Sequence, residues 1–400
     1  MNLFLIAFHS LILLPTLING ECKEFYLRMT PEHTGCKHRN DNCLVIKEGL
    51  SLKDRKTILV EHNKYRNKIA LAHDTYDLPP ASNMMKLEWD KELAAIAQSH
   101  ASQCVFEHDC NLCREVDNFM VGQNLFSKKS AELKVAPAWD EAIGIFYDEI
   151  KLITRNLIES YVPDDGVNLY GHFTQLAWAE TWKIGCGYTA FRIDEPIYKT
   201  EELYTCNYGP AGNIIFGRVY KNGTAGSECP PNTVRSTLYP GLCNAKRNGP
   251  QLPVFSDVAN VLFLCDFKAK CSLKFSSPDR AHIISLYSGN YLSVRLKKGQ
   301  NFVITLTEVV SSEDGFCVEF RHRMPSPQSG IKFEVEFYVP EMGWKSDVLA
   351  YGINQWVVAK FDVQWNFHTE IRFILTVPKD SNLKYIDLNW IAIVNGHCQR

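Results

Sequence analysis

The residues with the plainest chemistry are fourteen cysteines, all of them beyond residue 20. An even number pairs without remainder, and in an exported chain such a set reads first as disulfides. The other chemistry is concentrated in four short stretches: His62-Asn63-Lys64-Tyr65-Arg66, Gly122-Gln123-Asn124-Leu125, the run 171–181 that begins Gly171-His172-Phe173-Thr174-Gln175, and the run 204–213. Imidazoles, amides and phenols of this kind ligate metals, move protons or tie backbone together. None of the four stretches sets a serine or cysteine nucleophile beside a base, which weighs against covalent catalysis. His62 and Arg66 fall one turn apart on a single helix face. Asn222-Gly223-Thr224 is the only N-glycosylation acceptor of the sequence.

These residues must be held by folded elements, and the chain divides into parts with different periods. Residues 3–17 are apolar and no charge appears before residue 21, so 1–20 reads as a secretory signal, with the mature chain beginning near Glu21. The stretch is too short to span a bilayer, and nothing later approaches twenty apolar residues, so the protein is expected to be extracellular and free of a membrane span. Residues 21–220 carry helical spacing at 52–71 (Ile58, Leu59, Tyr65, Ile69), at Leu93, Ile96, Ala97 and Ala101, and at 139–153 (Ile143, Phe146, Tyr147, Ile150), with short β-like runs such as 204–207. Residues 221–261 are rich in Pro, Gly, Asn and Ser and read as a linker in which Cys229 and Cys243 close a small loop. Residues 262–400 switch to a period of two: Ile331, Phe333, Val335, Phe337 and Val339 alternate with Lys332, Glu334, Glu336 and Tyr338. Similar strands are expected at 318–324, 357–363 and 371–377. The fold class is therefore α+β, a mixed first part followed by an all-β second. A composition of 46% hydrophobic and 22% charged residues with a formal net charge of −2 provides no basic field for nucleic acid or an anionic membrane.

In this order and at these spacings, the four stretches resemble the signatures of the CAP superfamily, the cysteine-rich secretory and venom-allergen proteins. The resemblance covers 21–220 and implies an α-β-α sandwich. His33-Thr34-Gly35-Cys36 with Cys43, and Val121-Gly122-Gln123-Asn124-Leu125, look most like the antigen-5 branch of arthropod venoms and saliva. The family's bridges, carried onto matching positions, are Cys43–Cys104 and Cys186–Cys206, whereas Cys22, Cys36, Cys110 and Cys113 leave three connectivities open. The family's cleft of two histidines and two acids maps onto His108, His172, Glu149 and, in place of an acid, Gln123. His108 and His172 would supply half of a tetrahedral zinc shell. An amide at 123 neither ionises nor neutralises a divalent cation, so any zinc is expected to be weak and no cofactor is required. Relatives also hold small lipids between helices, a role for which Trp139, Phe146, Tyr147, Phe173 and Trp178 are the available aromatics.

Cys265, Cys271, Cys317 and Cys398, with Cys317-Val318-Glu319-Phe320 opening a strand, resemble the four-cysteine frame of MAM domains. That resemblance implies a jelly-roll-like sandwich bridged Cys265–Cys271 and Cys317–Cys398. Where such domains often end in an acidic pair, this sequence has Asn389-Trp390, and Asp387 alone makes a poor cation site. Tyr338, Trp344 and Tyr351 are candidate exposed aromatics for a glycan. The function implied is a secreted, non-enzymatic binder of a host protein, a small lipid or a glycan. The alternative is a metal-dependent hydrolase built on His108, His172 and Glu149.

Overall fold

The computed structural model describes residues 22–73, 75–117, 119–164, 166, 169–246, 260–286, 289–307, 315–324, 332–339, 342–348, 357–363, 370–379 and 385–398. The expected signal at 1–20, residues 247–259 of the expected linker, and Tyr351 lie outside them.

The first part contains helices α1 (Glu24–Met29), α2 (Leu52–Ala70), α3 (Lys91–Ala101), α4 (Trp139–Asp148), α5 (Arg155–Glu159) and α6 (Gly171–Ala177). Its strands are β1 (Val45–Glu48), β2 (Glu88–Trp89), β3 (Gly122–Ser130), β4 (Lys183–Arg192) and β5 (Thr200–Gly209). The sheet runs β1-β4-β5-β3 with β2 added in parallel to β4. Local chemistry starts the helices: Ser51 and Asp54 form a reciprocal capping box at α2, and Asp90 accepts from the backbone of Glu92 and Leu93 at α3. On one face of the sheet α3 lies directly on β4, because Gly185 and Gly187 have no side chains. A Cβ at Gly185 would sit 2.1 Å from the Ala94 nitrogen, and one at Gly187 2.4 Å from Gln98 Cα. On the other face α2, α4 and α6 enclose a core that includes Ile58, Trp139, Phe146, Phe173, Ile184 and Tyr208. This is the expected α-β-α layering. The stretch 139–153 is not one helix, since α4 gives way to a 3₁₀ turn, Glu149–Leu152, that opens with the cleft residue Glu149.

Residues 221–246 are built into the first part and do not hang between parts. Strands β6 (Thr233–Arg235) and β7 (Cys243–Ala245) pair beside the Cys229–Cys243 bridge, and Leu242 and Cys243 are fully buried. The segment docks by backbone: Cys243 N–H donates to Met84 O at 2.7 Å, Lys86 N–H to Cys243 O at 2.8 Å, and Glu228 N–H to Ser82 O at 2.9 Å. Pro, Gly and Ser suit a compact bridged loop as well as a linker, and docking through backbone groups needs no apolar period.

The second part is all β. In chain order its strands are β8 (Val261–Cys265), β9 (Leu273–Phe275), β10 (Ala281–Leu286), β11 (Gly289–Arg295), β12 (Asn301–Leu306), β13 (Phe316–Arg323), β14 (Lys332–Val339), β15 (Gly343–Val348), β16 (Val357–Val363), β17 (Ile371–Thr376) and β18 (Tyr385–Asn395). They form one sheet in the order β10-β11-β18-β13-β16, with β8 also paired to β18, and a second in the order β15-β14-β17-β12-β9, all antiparallel. Inward residues of both sheets, among them Phe320, Phe333, Phe373 and Leu388, meet in one core. Every cysteine is paired: the five bridges expected above form, joined by Cys22–Cys36 and Cys110–Cys113. Helix α1 touches both parts, with Phe25 against both cores and Met29 inside the second.

Candidate functional site

The four stretches converge, and most of their polar atoms are spent on one another. The Arg66 guanidinium is wholly buried and donates to five carbonyls, those of Met85, Leu176, Trp178, Ala179 and Thr181, over 2.7–3.2 Å. It thereby pins α2 to the turn leaving α6. Burial pulls its pKa down to about 9. One helical turn earlier, His62 Nδ1–H donates to Ile58 O at 2.8 Å, so its Nε2 accepts from the Tyr208 hydroxyl at 2.8 Å. Asn124 Nδ2 donates to His172 O and to Tyr208 Oη. Gln175 Oε1 accepts from Gly212 N–H at 3.0 Å and occupies the space that a Cβ on Gly122 would need, 1.8 Å away. These stretches therefore serve the architecture, and His62, Arg66, Asn124 and Tyr208 spend their polar atoms on holding elements together.

The expected cleft residues His108, Gln123, Glu149 and His172 form two hydrogen-bonded pairs. The His108 Nδ1–H donates to Gln123 Oε1 at 2.7 Å. The Gln123 amide nitrogen, at the start of β3, donates in turn to Asp109 Oδ1 and Asn207 Oδ1, each at 3.2 Å. On the other side His172 Nδ1–H donates to Glu149 Oε1 at 2.6 Å, and Glu149 Oε2 accepts from Phe173 N–H at 2.9 Å. The His172 ring stacks on Phe146 with centroids 5.0 Å apart. Burial holds the His108 pKa below the usual imidazole value, opposed in part by the bond to Gln123. The two imidazoles are close enough for His172 to lower His108 further.

In this arrangement each ring donates from Nδ1, which leaves Nε2 of His108 and of His172 with a free lone pair. Two oriented imidazole nitrogens fit a divalent metal as partial ligands, with Glu149 and Gln123 as the groups that fix the rings. Both oxygens of Glu149 are committed to protein donors. Among the described residues, His108, His172 and Glu149 do not converge as a three-ligand set; the one group that does is Cys317, Asp362 and Cys398, whose two cysteines are bridged to each other. Neither histidine is hydrogen bonded to a Ser, Thr or Cys side chain among the described residues, so neither has a nucleophile to activate.

The sequence reading missed Asp109. This acid stands next to His108, bonds Gln123, and is held by Arg114 at 2.7 Å, the pair being almost wholly buried. Its adjacency to His108 and the arginine five residues on were the available signals. The aromatics expected to line a lipid groove, Trp139, Phe146, Tyr147, Phe173 and Trp178, are instead closed into the first core, each less than 9% exposed. A half-open groove of about 350 Å³ lies elsewhere, between the N-terminal half of α2 and α3, lined by Leu50, Trp89, Ala94 and Ala95 among others. Asp387 is fully buried against Arg323, so its carboxylate is already neutralised by a cation of the chain itself. Tyr338 and Trp344 pack edge to face on the second sheet and stay partly exposed, with the Arg372 guanidinium 3.7 Å over the indole. Asn222 is exposed.

Comparison with known proteins places this geometry. The family model of the cysteine-rich secretory proteins, CAP, matches residues 59–208. The chain is 36% identical over 398 residues to Venom allergen 5 of Tityus serrulatus, an alignment covering 95% of this chain and 94% of that protein. It is 34% identical over 401 residues to CRISP/Allergen/PR-1 of Trittame loki, covering 95% and 96% respectively. Both alignments run through the β-rich second part as well as the first. Among solved structures, NaASP2 crystallised with Zn2+ shares 28% identity over 52% of this chain and 100% of that one, with a TM-score of 0.40.

Proposed function

Since the chain belongs to the cysteine-rich secretory protein (CAP) family, we propose that it is an exported, non-enzymatic binding protein of the venom-allergen type whose target is a protein of another organism. The observation that carries this reading is the state of the cleft. Its histidines are oriented by Gln123 and Glu149 and have no hydroxyl or thiol to activate, an arrangement suited to holding a ligand and poorly suited to turnover. A protein target is favoured over a small lipid because the aromatics nominated for a lipid groove are sealed in the core. The leader 1–20 is removed on export, Asn222 carries a glycan, and the second part is a MAM-like jelly roll joined to a CAP domain that runs from 21 to 246. Zinc, where present, is held by Nε2 of His108 and His172 as a weak, exchangeable ligand and not as a required cofactor.

Ligands extracted from the purified protein and identified by mass spectrometry, together with capture of proteins from the target organism's plasma, test the reading. A specific protein recovered by the wild type and not by an unrelated disulfide-rich control is expected, and empty results in both assays sink it. Calorimetric titration with zinc is expected to give weak binding that disappears in His108→Ala/His172→Ala. Binding unchanged in that variant places any metal elsewhere.

A further inference from the structure

Part of the outer face of the six-stranded sheet of the second part, along β11, β18 and the end of β13, ought to meet water and does not. Along β13 and β18 the residues Val318, Phe320, Ile386 and Leu388 point into the core, while Arg321, Arg323, Asp387 and Asn389 point out, with Tyr291 and Ser293 beside them on β11. An antiparallel sheet with one apolar face normally leaves such a polar row solvated. Here Arg323, Asp387 and Ser293 are completely buried, and Tyr291 and Arg321 nearly so. The cover is the first part of the chain. Arg323 Nη1 donates to the Asp117 carbonyl at 2.6 Å, the Tyr291 hydroxyl donates to Asp117 Oδ1 at 2.5 Å, and Phe25 of α1 lies over the guanidinium. From behind, Arg323 donates through Nε and Nη2 to Asp387 Oδ2, which keeps the buried cation paired.

Asp117 sits in the middle of the segment 108–123, whose ends supply His108 and Gln123 to the cleft. The segment is also knit within itself by Arg114, which donates to Val121 O at 2.9 Å and to Asp109 O at 2.7 Å. We propose that the second part is a docked buttress of the cleft and not a tethered accessory, with Arg323 and Tyr291 acting as positioning residues that hold the 108–123 segment through Asp117. The functional consequence rests on the cleft being the binding site proposed above; the docking does not. The two parts then present one rigid surface, and whatever engages His108 and Gln123 does so on a segment knit by Arg114 and held at its middle by the second part.

Hydrogen–deuterium exchange on the full-length secreted protein tests this without any ligand. Two variants are compared with wild type: Arg323→Met, and Phe25→Ala/Asp117→Ala, which loosens the clasp from the first part and leaves the Arg323–Asp387 pair in place should Arg323→Met fail to fold. Peptides within 108–123 are expected to exchange at least about tenfold faster in either variant, the scale set by losing one partner of a buried charge pair, while β4 and β5 peptides stay unchanged. Unchanged exchange in 108–123 overturns the buttress, and so does a uniform rise throughout the first part. Because the readout needs no ligand, a failed search for a binding partner leaves this result standing, and a failed exchange experiment leaves the binding reading standing.

Discussion

Each part of the molecule holds one completely buried arginine, and the two are accommodated by opposite means. In the first, Arg66 is solvated by five backbone carbonyls and meets no carboxylate; in the second, Arg323 is paired with Asp387 and borrows Asp117 from across the junction. Their buried histidines differ in the same way. His62 has a partner on each ring nitrogen. His322 stacks among Phe320 and Phe333, and neither ring nitrogen has a hydrogen-bond partner among the described residues. The first part is knit by a polar network its fold cannot do without, whereas the second is an apolar sandwich carrying polar residues whose partners lie partly outside it.

The largest test of that contrast is Arg66→Met, which strips donors from five buried carbonyls at about 1–3 kcal/mol each, a sum comparable with the ~5–15 kcal/mol stability of a domain. No folded secreted protein is expected, and Arg66→Lys should fail too, since an ammonium cannot span the same acceptors. Secreted yield and circular dichroism measure this; a well-folded Arg66→Met would break the comparison. Next, Arg323→Met is expected to cost the second part about 3–5 kcal/mol in denaturant unfolding, with more than half restored by adding Asp387→Leu, because removing both charges leaves none orphaned. A double variant no more stable than the single would show the pair to be more than local compensation.

Acid should sharpen the contrast further. Burial pushes both His62 and His322 down to about 4. The unfolded chain therefore binds their protons first, and stability present above pH 6.5 is lost as pH falls toward 4, by roughly 3 kcal/mol per histidine. His322→Leu is expected to flatten this loss and to gain about 1 kcal/mol at pH 7 by removing two nitrogens that have no hydrogen-bond partner among the described residues. His62→Leu should flatten it too, but with a loss at pH 7, because the Ile58 carbonyl and the Tyr208 hydroxyl each lose one buried partner. Melting temperature against pH for both variants measures the difference, and equal behaviour at pH 7 would undo the distinction between satisfied and unsatisfied burial.

Legibility in the sequence followed the same division. The α-β-α order could be read because polar motifs in a fixed order are rare by chance, and the helix at 52–71 because its apolar residues keep a helical period. The strands at 357–363 and 332–339 were legible from alternation alone, but alternation carries no information about a partner that covers Arg321, Arg323 and Asp387. Residues 221–246 were misread as linker because docking by backbone leaves no trace in side-chain periodicity. Asp109 went unseen because its role depends on Arg114 and Gln123 folding toward it. The pairings of Cys22 with Cys36 and of Cys110 with Cys113 needed three-dimensional proximity that four unassigned cysteines could not supply.

Helix α1 has a consequence for how the protein is made. Phe25 and Met29 lie within the first ten residues of the expected mature chain, yet they finish their burial against a core whose last strand ends at Asn395. At about 5–20 residues per second of synthesis, roughly 20–70 s separate the translation of α1 from that of the strand completing the surface that receives it. Over that interval two large apolar side chains are without the core that covers them, so some of the earliest residues made are among the last to reach their final place.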